Sequence, residues 1–334
     1  MYQTHGVYVS PVALPLEEGG LLGGARLAWR AYGERSGDNV ALLLHDLTHS
    51  QHALAIPEGE APAHAGWGSE LVGAGRPLDT DALHVVVPNL LGSPFGSTSP
   101  VTVDPNGTRP YGATLPTVTV LDMARGVAAL LRALKVERVR AVVGVGLGGL
   151  VALRLAALFP ELAGSVGVLG AARTLPESLR ERLGLTRHLL RMDPDFQDGH
   201  YAPGAGPART LRKQHLEYLR LTHGHQADPE ALEAEARALA ASFDANTWAL
   251  LCTAYAGADL TECLGDIRAP VLLAAATNDS LAPPSRVRDT YHLLSAAGLR
   301  AHYHELPEPC SHHGLLTHAR RLHRPLRDFL RRRG

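Results

Sequence analysis

The chain has 334 residues, 45% of them apolar, enough for one large α/β domain or two ordinary ones with a sizeable buried core. Basic residues number 32 and acidic residues 33, and the formal net charge of -1 excludes a global field that recruits nucleic acid or an anionic membrane. Cys252, Cys263 and Cys310 lie far apart without a C-x-x-C pair, which argues against a disulfide framework or zinc ribbon and fits a cytoplasmic protein.

The opening MYQTHGVYVSPVALPLEEGG has no cationic start followed by an apolar block, so no signal peptide is read. VALLLH at 40–45 and HVVVPN at 84–89 are short, unbroken apolar runs, the pattern of strands buried on both faces of a parallel sheet. TVTVLDMARGVAALLRALKV at 117–136 places Met123, Val127, Leu130, Leu131 and Leu134 at helical spacing, with Asp122 near its start, and predicts a crossover helix.

RVRAVVGV at 138–145 reads as a strand, LGGLVALRLAALFP at 147–160 as a helix ended by Pro160, and GSVGVLGA at 164–171 as another strand. AVVGVGLGGLVALRLAALF at 141–159 has membrane length, but its glycines and Arg154 divide it into strand, turn and helix. From 173 to 262 the texture changes to helical segments, including DPEALEAEARALAASFD at 228–244, with a loop around Gly204 and Pro207. The sheet pattern returns at APVLLAAATND, 269–279, continues at RAHYHELP, 300–307, and a basic helix closes the chain from about 314. The predicted architecture is an α/β fold with a mostly parallel, doubly wound sheet, its core formed by 1–172 and 263–334, and a helical cap inserted at 173–262.

Chemistry concentrates at the turn after the 138–145 strand. A strand that turns sharply into a helix through G-x-S-x-G presents its serine at the top of the sheet, with an acid and then a histidine following in chain order. Here the motif is Gly144-Val145-Gly146-Leu147-Gly148, with Asp279 and His312 at the positions of the acid and the histidine and Gly146 where the nucleophile belongs. His312 would be a competent general base held by Asp279, yet Gly146 offers it no hydroxyl. The same glycines, Gly144-x-Gly146-x-x-Gly149, also match a dinucleotide fingerprint, but the next strand ends Val168-Leu169-Gly170-Ala171 without the acid that binds ribose.

Other clusters read as ordinary structure. His45, His49 and His52 sit in a loop without an obvious carboxylate partner, and His302 and His304 share one face of a predicted strand, so no metal is assigned. The C-terminal RRLHRPLRDFLRRRG carries Leu322, Leu326, Phe329 and Leu330 as one packed stripe beneath a solvated basic face.

HDLTHS at 45–50, GWGSELVGAGRPLDTD at 66–81, NLLGSPFGSTSP at 89–100, YGATLPTVTVLDMAR at 111–125, DPDFQDGHY at 193–201 and FDANTW at 243–248 together resemble the homoserine O-acetyltransferases. The resemblance spans nearly the whole chain. It implies an α/β-hydrolase fold, a serine acyl-enzyme that moves acetyl from acetyl-CoA to homoserine, a place in methionine biosynthesis, and a homodimer formed through the cap helices. It also implies an oxyanion hole built from the backbone N–H groups of Leu47 and Leu147. For the substrate it implies a cap arginine and tyrosine, of which the tyrosine is kept as Tyr218. Leu211 stands at the arginine's place, and a shift in alignment brings in the neighbouring Arg212. His313 stands where the family has an aspartate directly after the catalytic histidine.

The expected protein is therefore homoserine O-acetyltransferase-like but without its nucleophile, a pseudoenzyme or a redirected site that takes an acyl-CoA or a small hydroxy amino acid as ligand. Acetyl-CoA is its expected co-substrate if any turnover remains. Two alternatives stand beside it. One is an acyltransferase or hydrolase that uses His312 and Asp279 without a serine, and the other is a regulatory partner of an intact paralogue.

Overall fold

The computed structural model describes residues 2–55, 66–202, 204–224, 227–307 and 310–331. The main sheet strands are β1 (Gln3–Val9), β2 (Arg26–Tyr32), β3 (Val40–Leu44), β4 (His84–Pro88), β5 (Ala141–Val145), β6 (Val166–Leu169), β7 (Val271–Ala276) and β8 (Ala301–Leu306). They lie in the order β1-β2-β4-β3-β5-β6-β7-β8. The first two pairings, β1 with β2 and β2 with β4, are antiparallel, and every later pairing is parallel.

Strands β3 to β7 are buried along their whole length, as the unbroken apolar runs require of strands covered on both faces. Two layers of side chains accomplish this. Leu42 and Leu44 of β3 join the core beneath α1 (Val120–Ala133) and α2 (Leu147–Leu158), while Leu43 and Val143 face the core closed by the C-terminal segment. The N-terminus of α1 is fixed by a reciprocal capping box, in which Thr119 Oγ1 accepts from the Asp122 N–H and Asp122 Oδ2 accepts from the Thr119 N–H.

Between β6 and β7 the described residues form helices and no sheet strand: α3 (Glu177–Gly184), α4 (Thr186–Arg191), α5 (Ala208–His223), α6 (Pro229–Ser242) and α7 (Ala245–Gly257). An isolated bridge between Thr174 and Asp259 closes the base of this insert. After β7, α8 (Pro284–Ala296) leads back to β8.

The structure departs from the sequence reading at both ends. The N-terminal β1 and β2 were not anticipated, because β1 alternates between exposed and half-buried residues and leaves Val7 and Val9 in solvent. The basic helix expected from 314 is divided into α9 (Gly314–Thr317), a turn of 3-10 helix at Ala319–Leu322 and α10 (His323–Arg331). Leu322, Leu326 and Phe329 are buried there, with Leu330 half-buried, while Arg320, Arg321, Arg324 and Arg331 are exposed. Arg332 and Arg333 lie outside the described residues. No helix among the described residues is long and apolar enough to cross a membrane.

The turn from β5 into α2 packs directly on the end of β3. A Cβ added at Gly148 would lie 2.3 Å from the Leu44 carbonyl oxygen and 2.6 Å from that of His45, both rigid backbone atoms. Gly148→Ala is therefore expected to lower unfolding stability by about 3 kcal/mol or more in urea titrations, as overpacking without relaxation does. A loss below about 1 kcal/mol would show that α2 can slide away from β3.

Candidate active site

At the C-terminal end of β5, Gly146 adopts φ 51° and ψ -118°, a conformation that side chains resist, and its N–H donates to the Leu169 carbonyl. This is the sharp elbow expected from the glycine-rich motif, and α2 begins at Leu147 immediately after it.

The space where a side chain at position 146 would sit belongs to Asp46, from the loop that follows β3. A Cβ built on Gly146 would meet Asp46 Oδ1 at 2.0 Å and its Cγ at 2.4 Å. The carboxylate thus stands where the hydroxyl of an elbow serine would. Its Oδ1 accepts the Leu147 N–H at 2.8 Å, and its Oδ2 lies 3.2 Å from His312 Nε2. Tyr218, reaching in from α5, donates its hydroxyl to the same Oδ2 at 3.4 Å.

Asp279 and His312 are in contact: His312 Nδ1 donates to Asp279 Oδ2 at 2.7 Å. The other oxygen of Asp279 accepts the N–H groups of Leu281 and Ala282 at 2.8 and 2.9 Å, so the residue caps its own loop as well as holding the ring. Asp46, His312 and Asp279 are 3%, 3% and 4% exposed, so each charge must be matched inside the protein.

The electrostatics follow from this arrangement. Burial on its own would push the His312 ring towards neutrality, but the carboxylates of Asp279 and Asp46 outweigh it and raise the pKa to about 10. Burial would likewise raise Asp46, yet its hydrogen bond and charge interaction with His312, with help from His49 and the Leu147 N–H, hold it well below the ordinary carboxylate value. The resting state is carboxylate, imidazolium, carboxylate. The two carboxylates therefore disfavour the unprotonated His312 that a general base requires.

The loop that carries Asp46 is pinned by His45. Burial lowers the His45 pKa to about 4, so the neutral ring donates from Nδ1 to the Asp46 carbonyl at 2.8 Å and accepts the Leu90 N–H at Nε2 at 3.0 Å. His49 packs against Trp67, and His302 lies against Phe329.

The Leu147 N–H, expected to line an oxyanion hole, is bound to Asp46, and Leu47 is buried beside it. Tyr218 reaches the centre, Leu211 is buried on the same helix, and Arg212 is exposed. His313 contacts the end of α5: its N–H donates to the Thr222 carbonyl and its ring stacks on His223 at 4.0 Å. Burial, followed by the charge of His223, lowers the His313 pKa to about 4.

Asp46 at the centre and the buried Tyr255 are not singled out by the sequence. Asp46 lies in the HDLTHS block, and its signal was an acid immediately after the first core strand and one residue before Leu47. Tyr255 of α7 is 1% exposed, and its hydroxyl has no hydrogen-bond partner among the described residues.

A model of the alpha/beta hydrolase fold matches residues 63–319. The chain is 32% identical to an L-serine/homoserine O-acetyltransferase of Streptomyces lavendulae, over 96% of this chain and 95% of that one. It is 33% identical to a homoserine O-acetyltransferase of Symbiobacterium thermophilum over 95% and 91%, and 32% identical to a serine O-succinyltransferase of Stenotrophomonas maltophilia over 96% and 95%. Among solved structures, the homoserine O-acetyltransferase of Bacillus anthracis superposes with a TM-score of 0.88 at 21% identity, covering 100% of this chain and 99% of that one. Esterase E22 superposes with a TM-score of 0.87 at 21% identity over 98% and 100%. The chain belongs to the homoserine and serine O-acyltransferase family of the α/β-hydrolase superfamily.

A raised imidazole pKa has a defined signature in stability. Below 6.5 His312 is protonated in both folded and unfolded chains and its ion pairs contribute in full, whereas between 6.5 and about 10 the contribution is progressively lost as the unfolded chain releases its proton first. Unfolding free energy is expected to fall with pH across that window, and His312→Gln should flatten the fall by about 1 kcal/mol per pH unit. Parallel profiles for the two proteins would show that His312 is not held as an imidazolium.

Proposed function

We propose that this protein is a member of the acyltransferase family that does not form the serine acyl-enzyme and does not transfer acetyl groups from acetyl-CoA to homoserine or serine. The observation that carries this reading is the Asp46 carboxylate, which fills the place of the missing hydroxyl and takes the Leu147 N–H for itself. A backbone donor aimed at a developing oxyanion is a large part of acyl-transfer catalysis, and here a permanent anion already holds it.

Direct use of His312 on water or on an acceptor hydroxyl is disfavoured by the same geometry. The ring is an imidazolium whose Nε2–H faces Asp46, and its neutral form is scarce at physiological pH. The reading leaves acyl-CoA or a small hydroxy amino acid as a ligand without turnover.

Release of free CoA from acetyl-CoA, with homoserine or serine as acceptor, is expected to match that of a His312→Ala control at the uncatalysed level. Gly146→Ser alone should stay silent, because its Cβ collides with Asp46. Combined with Asp46→Ala, the same serine gains a free neighbour in His312, and acyl-enzyme formation from an aryl acetate should rise on the order of a hundredfold over the native protein. CoA release by the native protein that disappears in His312→Ala would overturn the proposal.

A further inference from the structure

We infer that Asp46 is a carboxylate nucleophile for small strained cyclic ethers, and that the centre opens an epoxide through an alkyl ester on Asp46 and hydrolyses that ester to a diol. This rests on the reading that Asp46 has displaced the serine function, and it assigns that same site a substrate class.

The orientation of the carboxylate selects the electrophile. Oδ1 faces the Leu147 N–H at the N-terminus of the 12-residue helix α2, so the donor that would stabilise a substrate's carbonyl oxygen is instead aimed at Asp46's own. An acyl group attacked by Asp46 would find no such donor. An sp3 carbon needs none in the attack step, and the donor becomes useful afterwards, when water adds to Asp46 Cγ and negative charge develops on Oδ1.

The surrounding groups suit an oxygen leaving group. Oδ2, the oxygen not held by the helix terminus, accepts from the Tyr218 hydroxyl and lies against His312 Nε2, so the two groups that meet the nucleophile are also the proton sources. Tyr255 is a second buried phenol, unpartnered among the described residues, whose ionisation Asp46 and Asp279 oppose. Burial first, then these negative neighbours, keep both phenols protonated. A halide leaves without a proton, whereas a ring-opened epoxide leaves as an alkoxide that requires one.

The proton and bond inventory closes. Asp46 Oδ2 bonds to a ring carbon, the ring C–O bond breaks, and the alkoxide takes a proton from Tyr218, which recovers one from His312. Asp46 is now an uncharged ester, so His312 keeps only Asp279 as an anionic partner and becomes a usable base. It removes a proton from water, and the hydroxide adds to Cγ. The Cγ–O bond to the alkyl group breaks as that oxygen takes the proton back from His312. The acid proton left on Asp46 returns to His312. The sum is epoxide plus water giving diol, with no co-reactant.

The test uses propylene oxide, a small epoxide. With excess native protein in 18O-water, a single turnover is expected to place the label in the Asp46 carboxylate and leave the first diol unlabelled, as read by peptide and product mass. His312→Gln should instead accumulate one equivalent of alkyl adduct on Asp46, and Asp46→Asn should lose turnover on the order of a thousandfold. Label entering the first diol directly, turnover surviving in Asp46→Asn, or no adduct and no diol at saturating propylene oxide would each overturn the inference. The two readings fail separately, since His312-dependent CoA release refutes closure of the acyl route, whereas absence of Asp46 alkylation refutes only the epoxide chemistry.

Discussion

The contact on which the centre depends is that between the Asp46 carboxylate and the first turn of α2. An anion at a helix N-terminus is favoured by the unsatisfied N–H groups and by the helix dipole, and Asp46 Oδ1 takes up the Leu147 N–H there. Its other oxygen anchors the His312 imidazolium, which Asp279 holds from the opposite side. Two buried carboxylates around one cation leave an excess negative charge, and the helix terminus, the Leu281 and Ala282 N–H groups and the Tyr218 hydroxyl distribute it. Gly146 permits all of this: any side chain there would occupy the volume of the carboxylate. The glycine at 146 and the aspartate at 46 are therefore coupled, since the first leaves the room that the second fills.

The helical insert is tied to this centre rather than merely covering the sheet. Tyr218 of α5 reaches Asp46, and the end of the same helix receives the His313 N–H at Thr222 and stacks His223 on His313, directly beside His312. Trp248 of α7 packs edge-on against Tyr218 and at 4.3 Å from His215, which orients the face of the insert turned to the site. A shift of α5 would thus move the phenol and the histidine loop together.

The parallel strands and the elbow were legible in the sequence because each is a local pattern: unbroken apolar runs for β3 to β7, closely spaced glycines between β5 and α2, and an acid and a histidine in the right order. The two N-terminal strands were not, since β1 pairs at the sheet edge and carries no continuous apolar face to mark it. Asp46 escaped for a different reason. Position 146 and position 46 are a hundred residues apart in the chain, and only the parallel pairing of β3 with β5, with Leu44 opposite Gly144, brings their ends together. Reading each position alone shows a lost hydroxyl at one and a loop acid at the other. The distribution of charge on α5 has a similar character: which of Leu211 and Arg212 faces inward is decided by helix phase against α7 and the core, and Leu211 takes the buried side.

The most direct measurement is the 15N chemical shift of the two His312 ring nitrogens between pH 6 and pH 9, with Asp46→Asn as the comparison. Both nitrogens are expected to remain protonated across this range in the native protein, because two carboxylates hold the ring. Asp46→Asn should bring the titration into the range or towards it. A native His312 that titrates near 6.5, or a titration unchanged by Asp46→Asn, would contradict the placement of the Asp46 carboxylate against His312 at the Gly146 elbow.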